Sequence, residues 1–416
     1  LNVKASKKTI TQFSTLFLSN YSLVILSFAT SILMTHAMLE SEYGYYKYAM
    51  SIITMCVALI DGGIHYSAAR LIAISDKSKE NAIFSTTVVI MVVFSVIFTI
   101  LANSILVIVN KFFINIDVVA FWSVSLVFTI MLQRMFITVL TGNNRINDII
   151  IQTVLPQIIM LVIYLVLKVL NYRIDFQVSL LIYGTVYIIV HLFTWLRLKL
   201  KFPFSFIGNL KEIVKENKIN GFQLYKGSVA SVFVGEVLTV IVGANVEKSI
   251  FGMYALALSI SAPISTIPRV MSTIKYRDNA NNLKLSNKNI IATLLVSLLG
   301  LISLNVGAKI LFPVFFESRY DGALGFLFIC SFTFLVHGLG DYFNQFSASH
   351  GLGSKLKNGA YLSGSAQVIS AVSLVPIYGI AGLIVAKLIS STIYCGNMIY
   401  IYLQYIKSSS SNEREN

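Results

Sequence analysis

Long apolar runs of similar length alternate with short polar connections along the whole chain. The runs occupy about 12–36, 44–64, 84–109, 119–141, 150–170, 177–197, 220–246, 251–271, 289–309, 323–345, 358–377 and 379–404. At ~1.5 Å per helical residue, each is long enough to cross a hydrocarbon layer about 30 Å thick. Lipid offers no hydrogen bonds to the backbone, so each run is expected to satisfy its own N–H and C=O groups as a helix. The period-two alternation of a membrane barrel strand is missing from them. The pattern predicts an all-α polytopic membrane protein with about 12 transmembrane helices.

The longest internal connection, 198–219, divides the chain into an N-terminal lobe at 12–197 and a C-terminal lobe at 220–404. Short tails at 1–11 and 405–416 flank them. Phe206, Leu210, Ile213 and Val214 share one helical face of the connection, with lysines opposite, which predicts an amphipathic helix lying on the surface. Residues 66–81 form a smaller version after the second run. Within the second run, YGYYKYAMSI (Tyr43 to Ile52) aligns without a gap to FGMYALALSI (Phe251 to Ile260), 208 positions later. Gly44/Gly252, Tyr46/Tyr254, Ala49/Ala257, Ser51/Ser259 and Ile52/Ile260 are identical. Six crossings per lobe preserve membrane direction, so the lobes are expected to be parallel repeats with a cleft between them, as in two-lobed transporters.

Composition agrees with this class: 56% of residues are hydrophobic and 12% charged, about half the charged fraction of a soluble protein. The net charge of +14 would suggest nucleic acid in a soluble chain, but its distribution points elsewhere. Counting residues at the ends of crossings with the connection they border, 22 of 32 Lys and Arg residues fall in the even-numbered connections and the tails, six in the odd-numbered connections and four inside crossings. That asymmetry predicts both termini in the cytoplasm, with the basic loops drawn to anionic lipid. No nucleic-acid partner is expected. Cys56, Cys330 and Cys395 lie inside apolar runs without paired spacing, as small core residues rather than a disulfide framework or metal site. The first run is too long for a signal peptide and has no clear cleavage site, so no cleavable leader is expected. No P-loop, zinc spacing, haem or flavin signature is present. A transporter is therefore expected rather than an enzyme, with no catalytic residues, no metal and no cofactor.

Ionisable residues inside crossings are costly and mark substrate or ion pathways. Lys47 lies about one turn into the second crossing, where contact with substrate and snorkelling to the interface both remain open. Lys226 and Glu236 share the seventh crossing, roughly 80° apart in helical phase, with Glu236 near mid-depth. Glu236 is either a coupling carboxylate or part of a structural polar contact. Asp61 opens an Asp-Gly-Gly exit, where it caps the chain or couples transport. Arg134 lies in the cytoplasmic third of the fourth crossing, and Lys387 in the twelfth has no evident partner. Arg269 follows Pro268 at the inner end of the eighth, whose Pro263 and Pro268 are expected to kink it. His337 and Asp341 in HGLGD lie four apart on one helical face. Catalysis by a base and its acid, a gating relay and ordinary packing are the three readings of that pair. Gly227, Ser231 and Gly235 place small residues on one face of the seventh crossing, which allows close helix approach.

The motif YGYYKYAMSI with LIDGGIHYSAARLIA, its echo FGMYALALSI and the prolines before Arg269 resemble bacterial polysaccharide-biosynthesis flippases of the O-antigen (Wzx/RfbX) type. These belong to the multidrug/oligosaccharidyl-lipid/polysaccharide (MATE-like) exporter superfamily, and the resemblance spans nearly the whole chain. It implies a carrier in the bacterial inner membrane that moves undecaprenyl-pyrophosphate-linked oligosaccharide to the periplasmic leaflet by alternating access. Lys47, Lys226, Arg269 and Arg134 are the implied substrate contacts. Glu236, Asp61, His337 and Asp341 are the coupling or gating candidates, with H+ or Na+ as the ion. Membrane lipids are expected partners, together with polysaccharide assembly proteins such as a polymerase or chain-length regulator. Relatives that flip lipid II usually have fourteen crossings, and drug exporters typically carry acidic cation-binding clusters, whereas this chain is poorer in membrane carboxylates. A cation-coupled multidrug or small-molecule antiporter of the same fold is the alternative. A membrane polysaccharide polymerase or acyltransferase is less favoured, because every outer loop is short. The charge asymmetry is testable: reporters fused after Lys407 should be cytoplasmic and those inserted near Lys111 periplasmic.

Overall fold

The computed structural model describes residues 22–415 apart from 24, 113–117, 144, 201–204, 223–224, 227–228, 230–233, 275–281 and 351. The N-terminal tail, the start of the first crossing and much of the seventh, including Gly227 and Ser231, lie outside the described residues. Among the described residues the structure is helical, without strands. It divides into two compact units, Leu1–Glu236 and Val237–Asn416. The connection at 198–219, expected to separate the lobes, belongs to the first unit.

The first unit contains α1 (Ile25–Ala37), α2 (Glu40–Ile60), α3 (Ile64–Ile74), α4 (Lys77–Phe112), α5 (Val118–Ser125), α6 (Val127–Gly142), α7 (Ile146–Val169), α8 (Phe176–Arg197) and α9 (Phe206–Glu216), followed by a π turn, Asn217–Gly221. The second crossing is not one straight helix. It breaks at Asp61-Gly62-Gly63, and α3 leaves at 62° to α2. Both glycines are left-handed, with φ of 60° and 77°, a conformation that costs a residue with a Cβ. The segment after the break was expected to lie on the surface. Instead α3 packs against α4 and α6, burying His65, Ser67, Ala68 and Ile72. The linker helix α9 also turns one side inward, burying Asn209 and Ile213 against α3 and α4 while Val214 stays exposed.

Polar contacts fix the packing of this unit where apolar contact alone gains little over lipid. Gln152 donates to Thr194 Oγ1 at 2.8 Å. The buried His191 ring lies 2.9 Å from Gln152 Oε1 and 3.2 Å from the Thr129 carbonyl. Arg197 near the end of α8 pairs with Asp148 in the first turn of α7 at 2.8 Å, each charge at the helix end whose dipole favours it. At the other end of α8, Phe176 N–H donates to Glu42 and Val178 N–H to Asp175, both at 2.8 Å.

The second unit contains most of α10 (Val234–Asn245), then α11 (Lys248–Ser261), α12 (Pro263–Ile274), α13 (Asn287–Phe315), α14 (Gly322–Ser349) and α15 (Gly353–Glu415). In the eighth crossing α11 and α12 are separated by Ala262 alone, itself helical, and together they form one apolar span, Lys248–Ser272, so the kink expected at Pro263 and Pro268 does not appear as a sharp break. α15 is a hairpin of two limbs, 353–378 and 380–415, turning at Gly379 with φ of 54°. Ser390 Oγ donates to the Ser363 carbonyl at 2.8 Å across the hairpin, and a Cβ on Gly382 would run into the backbone of Leu374. The eleventh and twelfth crossings thus pack against each other. Exposed apolar side chains run along α4 (Ile97, Ile100, Leu101, Ile105) and α13 (Leu295, Leu299, Ile302, Val306). Surfaces that apolar suit lipid and would be a liability in water.

The repeated decapeptide has the same environment in both units. Gly44, Tyr46, Ala49 and Ile52 of α2 are buried, as are Gly252, Tyr254, Ala257 and Ile260 of α11, while Ser51 and Ser259 are both half-buried. The two segments therefore present the same face to their own bundle. At the α2–α3 break, a Cβ on Gly63 would collide with the Gly221 carbonyl, whereas one on Gly62 would meet only ordinary contact. Gly62→Ala should cost about 1 kcal/mol from its backbone conformation. Gly63→Ala should cost clearly more, read as a larger fall in Tm of the purified protein.

Candidate functional site

In the second unit, three residues singled out in the sequence converge. Arg269, on α12, donates to Asp341 Oδ2 on α14 at 2.9 Å. Tyr394, on the second limb of α15, donates to Asp341 Oδ1 at 3.0 Å and accepts from Asn344 Nδ2 at 2.7 Å. The His337 ring stacks on Tyr394, with centroids 4.8 Å apart and planes at 21°. The spacing of HGLGD has a packing explanation. A Cβ on Gly338 would strike Ser265 on α12, and one on Gly340 would strike Tyr394. The two glycines let α14 approach a neighbour on either side. Asp341 directs its oxygens to arginine and tyrosine rather than acting as the partner of a histidine base.

In the first unit, Asp61 and His65 form a second close pair, this one buried, His65 Nδ1 lying 2.6 Å from Asp61 Oδ1 across the Gly-Gly break. Asn217 of the π turn donates to the Gly62 carbonyl at 3.1 Å, and Ser67 donates to Asn217 Oδ1 at 3.1 Å. The Tyr225 hydroxyl donates to the Leu59 carbonyl. Arg70–Glu216 at 2.6 Å and Lys79–Glu212 at 2.8 Å extend the contact along α9. These bonds satisfy backbone groups that the break in α2 would otherwise leave without partners, and they hold the linker to this unit.

Residues 10–274 match the sequence model of the polysaccharide biosynthesis protein family. The chain belongs to this family. No curated relative matches the sequence. Among solved structures it is similar to an inward-facing multidrug resistance MATE transporter of the MOP superfamily, at 14% identity and a TM-score of 0.67, covering 93% of this chain and 96% of that one. It is also similar to the lipid II flippase MurJ in an inward closed conformation, at 15% identity and a TM-score of 0.69, covering 95% and 90%. A MOP superfamily transporter from Pyrococcus furiosus matches at 15% identity and a TM-score of 0.55, covering 96% of each chain. This member of the polysaccharide biosynthesis family thus has the fold of MOP superfamily transporters.

Within that fold the remaining candidates are dispersed. Lys47 Nζ, half-buried on α2, lies 5.2 Å from the centre of the Tyr43 ring. Lys226, exposed, lies 5.0 Å from that of Phe222. Lys226 follows Tyr225, which is bonded to Leu59 near the end of α2, so the stretch from Lys47 to that point is about 18 Å of helix. Arg134 is half-buried on α6 and makes no ion pair among the described residues. Glu236 is half-buried in the first turn of α10.

Sequence reading overlooked His65, because the Gly-Gly break hides its four-residue relation to Asp61, and it overlooked Tyr394, which comes from a distant helix. It also left Lys387 without a partner. In the structure Lys387 Nζ donates to the Tyr254 hydroxyl at 2.9 Å, and Tyr254 is the tyrosine that repeats Tyr46. If Lys47 and Lys226 contact a transported substrate, Lys47→Gln and Lys226→Gln should each reduce flux and, lying near different ends of α2, combine additively in free energy. Wild-type flux in the double variant, measured at matched expression, would dismiss both as substrate contacts.

Proposed function

We propose that the protein is a flippase for a lipid-linked oligosaccharide, moving an undecaprenyl-pyrophosphate-linked repeat unit of O-antigen or similar type to the periplasmic leaflet of a bacterial inner membrane. The observation that carries this reading is the family match over residues 10–274. A fold shared with a lipid II flippase supports it. The headgroup is an anionic diphosphate bearing sugars, and the chain offers cationic side chains within its helices at Lys47, Lys226, Arg269 and Arg134. Charge-assisted hydrogen bonds to phosphate strengthen away from bulk water, and a guanidinium matches phosphate oxygens two at a time. The headgroup crosses by alternating access, while the polyprenyl tail stays in lipid. Uptake of H+ or Na+ at Glu236, Asp61, His337 or Asp341 supplies the drive. A polymerase and a chain-length regulator acting on the same repeat unit are the protein partners this assigns.

The MATE-like fold favours a second reading, a cation-coupled antiporter of drugs or small molecules. It would require export independent of glycan synthesis, with Glu236 essential and the four cations dispensable. Deletion and complementation separate the two. Under the flippase reading, deletion should lower surface glycan and accumulate lipid-linked repeat units facing the cytoplasm, and the wild-type chain should restore both. Unchanged surface glycan in the deletion strain would refute it.

A further inference from the structure

The ion pair between Arg269 and Asp341 is unequal in its surroundings. The Asp341 side chain keeps 16% of its exposure, the Arg269 side chain 54%. The carboxylate is anchored apart from the arginine: Tyr394 holds its second oxygen, Asn344 donates to the Tyr394 hydroxyl, and the His337 ring lies against the tyrosine. The anion is therefore a fixed post built by α14 and the second limb of α15. The cation is a long arm from α12 that keeps more than half of its exposure. A guanidinium has five N–H donors in a rigid fork. An exposed cation within a spanning helix is stable only where it faces a polar cavity or headgroups.

We propose that Asp341 is an internal stand-in for an anionic ligand, occupying Arg269 until a phosphate-bearing headgroup displaces it. This inference deepens the flippase reading and rests on it for the identity of the headgroup. Removing the partner of a largely buried carboxylate is normally costly, because its charge is left uncompensated. Here the Tyr394 hydroxyl keeps its hydrogen bond to the carboxylate when Arg269 turns away, which makes exchange feasible. A diphosphate brings more negative charge than one carboxylate and can engage the fork with two oxygens. A ligand with a single charge gains less from the exchange. Asp341 thus sets a charge threshold for entry and is a specificity-determining residue, while Tyr394 is a positioning residue acting through it.

The test is binding of farnesyl diphosphate and farnesyl monophosphate to the purified full-length protein in detergent. Asp341→Asn should tighten diphosphate binding about fivefold, the scale of a partly exposed ion pair, and should narrow the preference for diphosphate over monophosphate. Tyr394→Phe should shift affinity the opposite way, because the carboxylate left behind then loses its remaining hydrogen bond. A merely structural role for the cluster would move both variants in the same direction. In an Arg269→Gln background, Asp341→Asn should have no effect on affinity. Unchanged or weaker binding in Asp341→Asn, or a gain that persists without Arg269, would overturn the proposal. So would absence of diphosphate binding by the wild-type protein. Should Asp341→Asn not fold, unchanged affinity in Tyr394→Phe overturns it alone. The glycan assay in cells is independent: complementation without the Asp341→Asn gain sinks only this inference, and the gain without complementation sinks only the flippase reading.

Discussion

Hydrocarbon cannot hydrogen-bond a peptide group, and the architecture depends on that constraint. It makes every crossing helical and makes each interruption an event requiring its own partners. The main interruptions are few and each has a visible cause. At Gly62 and Gly63 the backbone turns left-handed, and Asn217 and Tyr225 supply bonds to carbonyls on either side of the break. At Gly379 the chain turns once more, and the two limbs of α15 close on each other.

With lipid as solvent, packing one apolar surface on another gains little, so polar contacts and small residues specify which faces meet. The His191–Gln152–Thr194 network does this in the first unit, and Gly338 and Gly340 do it in the second by admitting Ser265 and Tyr394. The repeated decapeptide shows the same rule applied twice. Its glycine, tyrosine, alanine and isoleucine are buried in α2 and again in α11. The tyrosine then meets different neighbours. Tyr254 holds Lys387, so a shared scaffold carries a cation in one unit at a site built on a repeated residue.

The charged clusters have a related logic. Two carboxylates inside the bundles lie beside a partner: Asp61 is close to the His65 ring at a helix break, and Asp341 accepts from Arg269 and Tyr394 between helices. The first lies beside the linker, whose Asn217 bonds the same break, so a change in that pair would act on the attachment of α9. The second leaves a half-exposed guanidinium supported by a fixed anion. If the cargo carries a diphosphate, as proposed, it would compete with that anion for the guanidinium.

The apolar runs alone were enough to establish an all-helical membrane protein, because run length and lipid leave one backbone solution. The echo of Tyr43 to Ile52 at Phe251 to Ile260 also carried its meaning in one dimension, since equal faces bury equal residues. Some site residues could be named from their chemistry: a charge in an apolar run stands out wherever it points. Their partners could not be named. The four-residue spacing of His337 and Asp341 was compatible with several networks, and only the approach of α12 and α15 assigned Asp341 to Arg269 and Tyr394. The residues between Asp61 and His65 read as a helix exit, yet folding α3 back onto α4 and α6 turned that exit into a buried pair. Helix formation is decided by local hydrogen bonding and could be read along the chain. Which charges meet is decided by contacts between segments 72 or 146 residues apart, and those exist only after the helices pack.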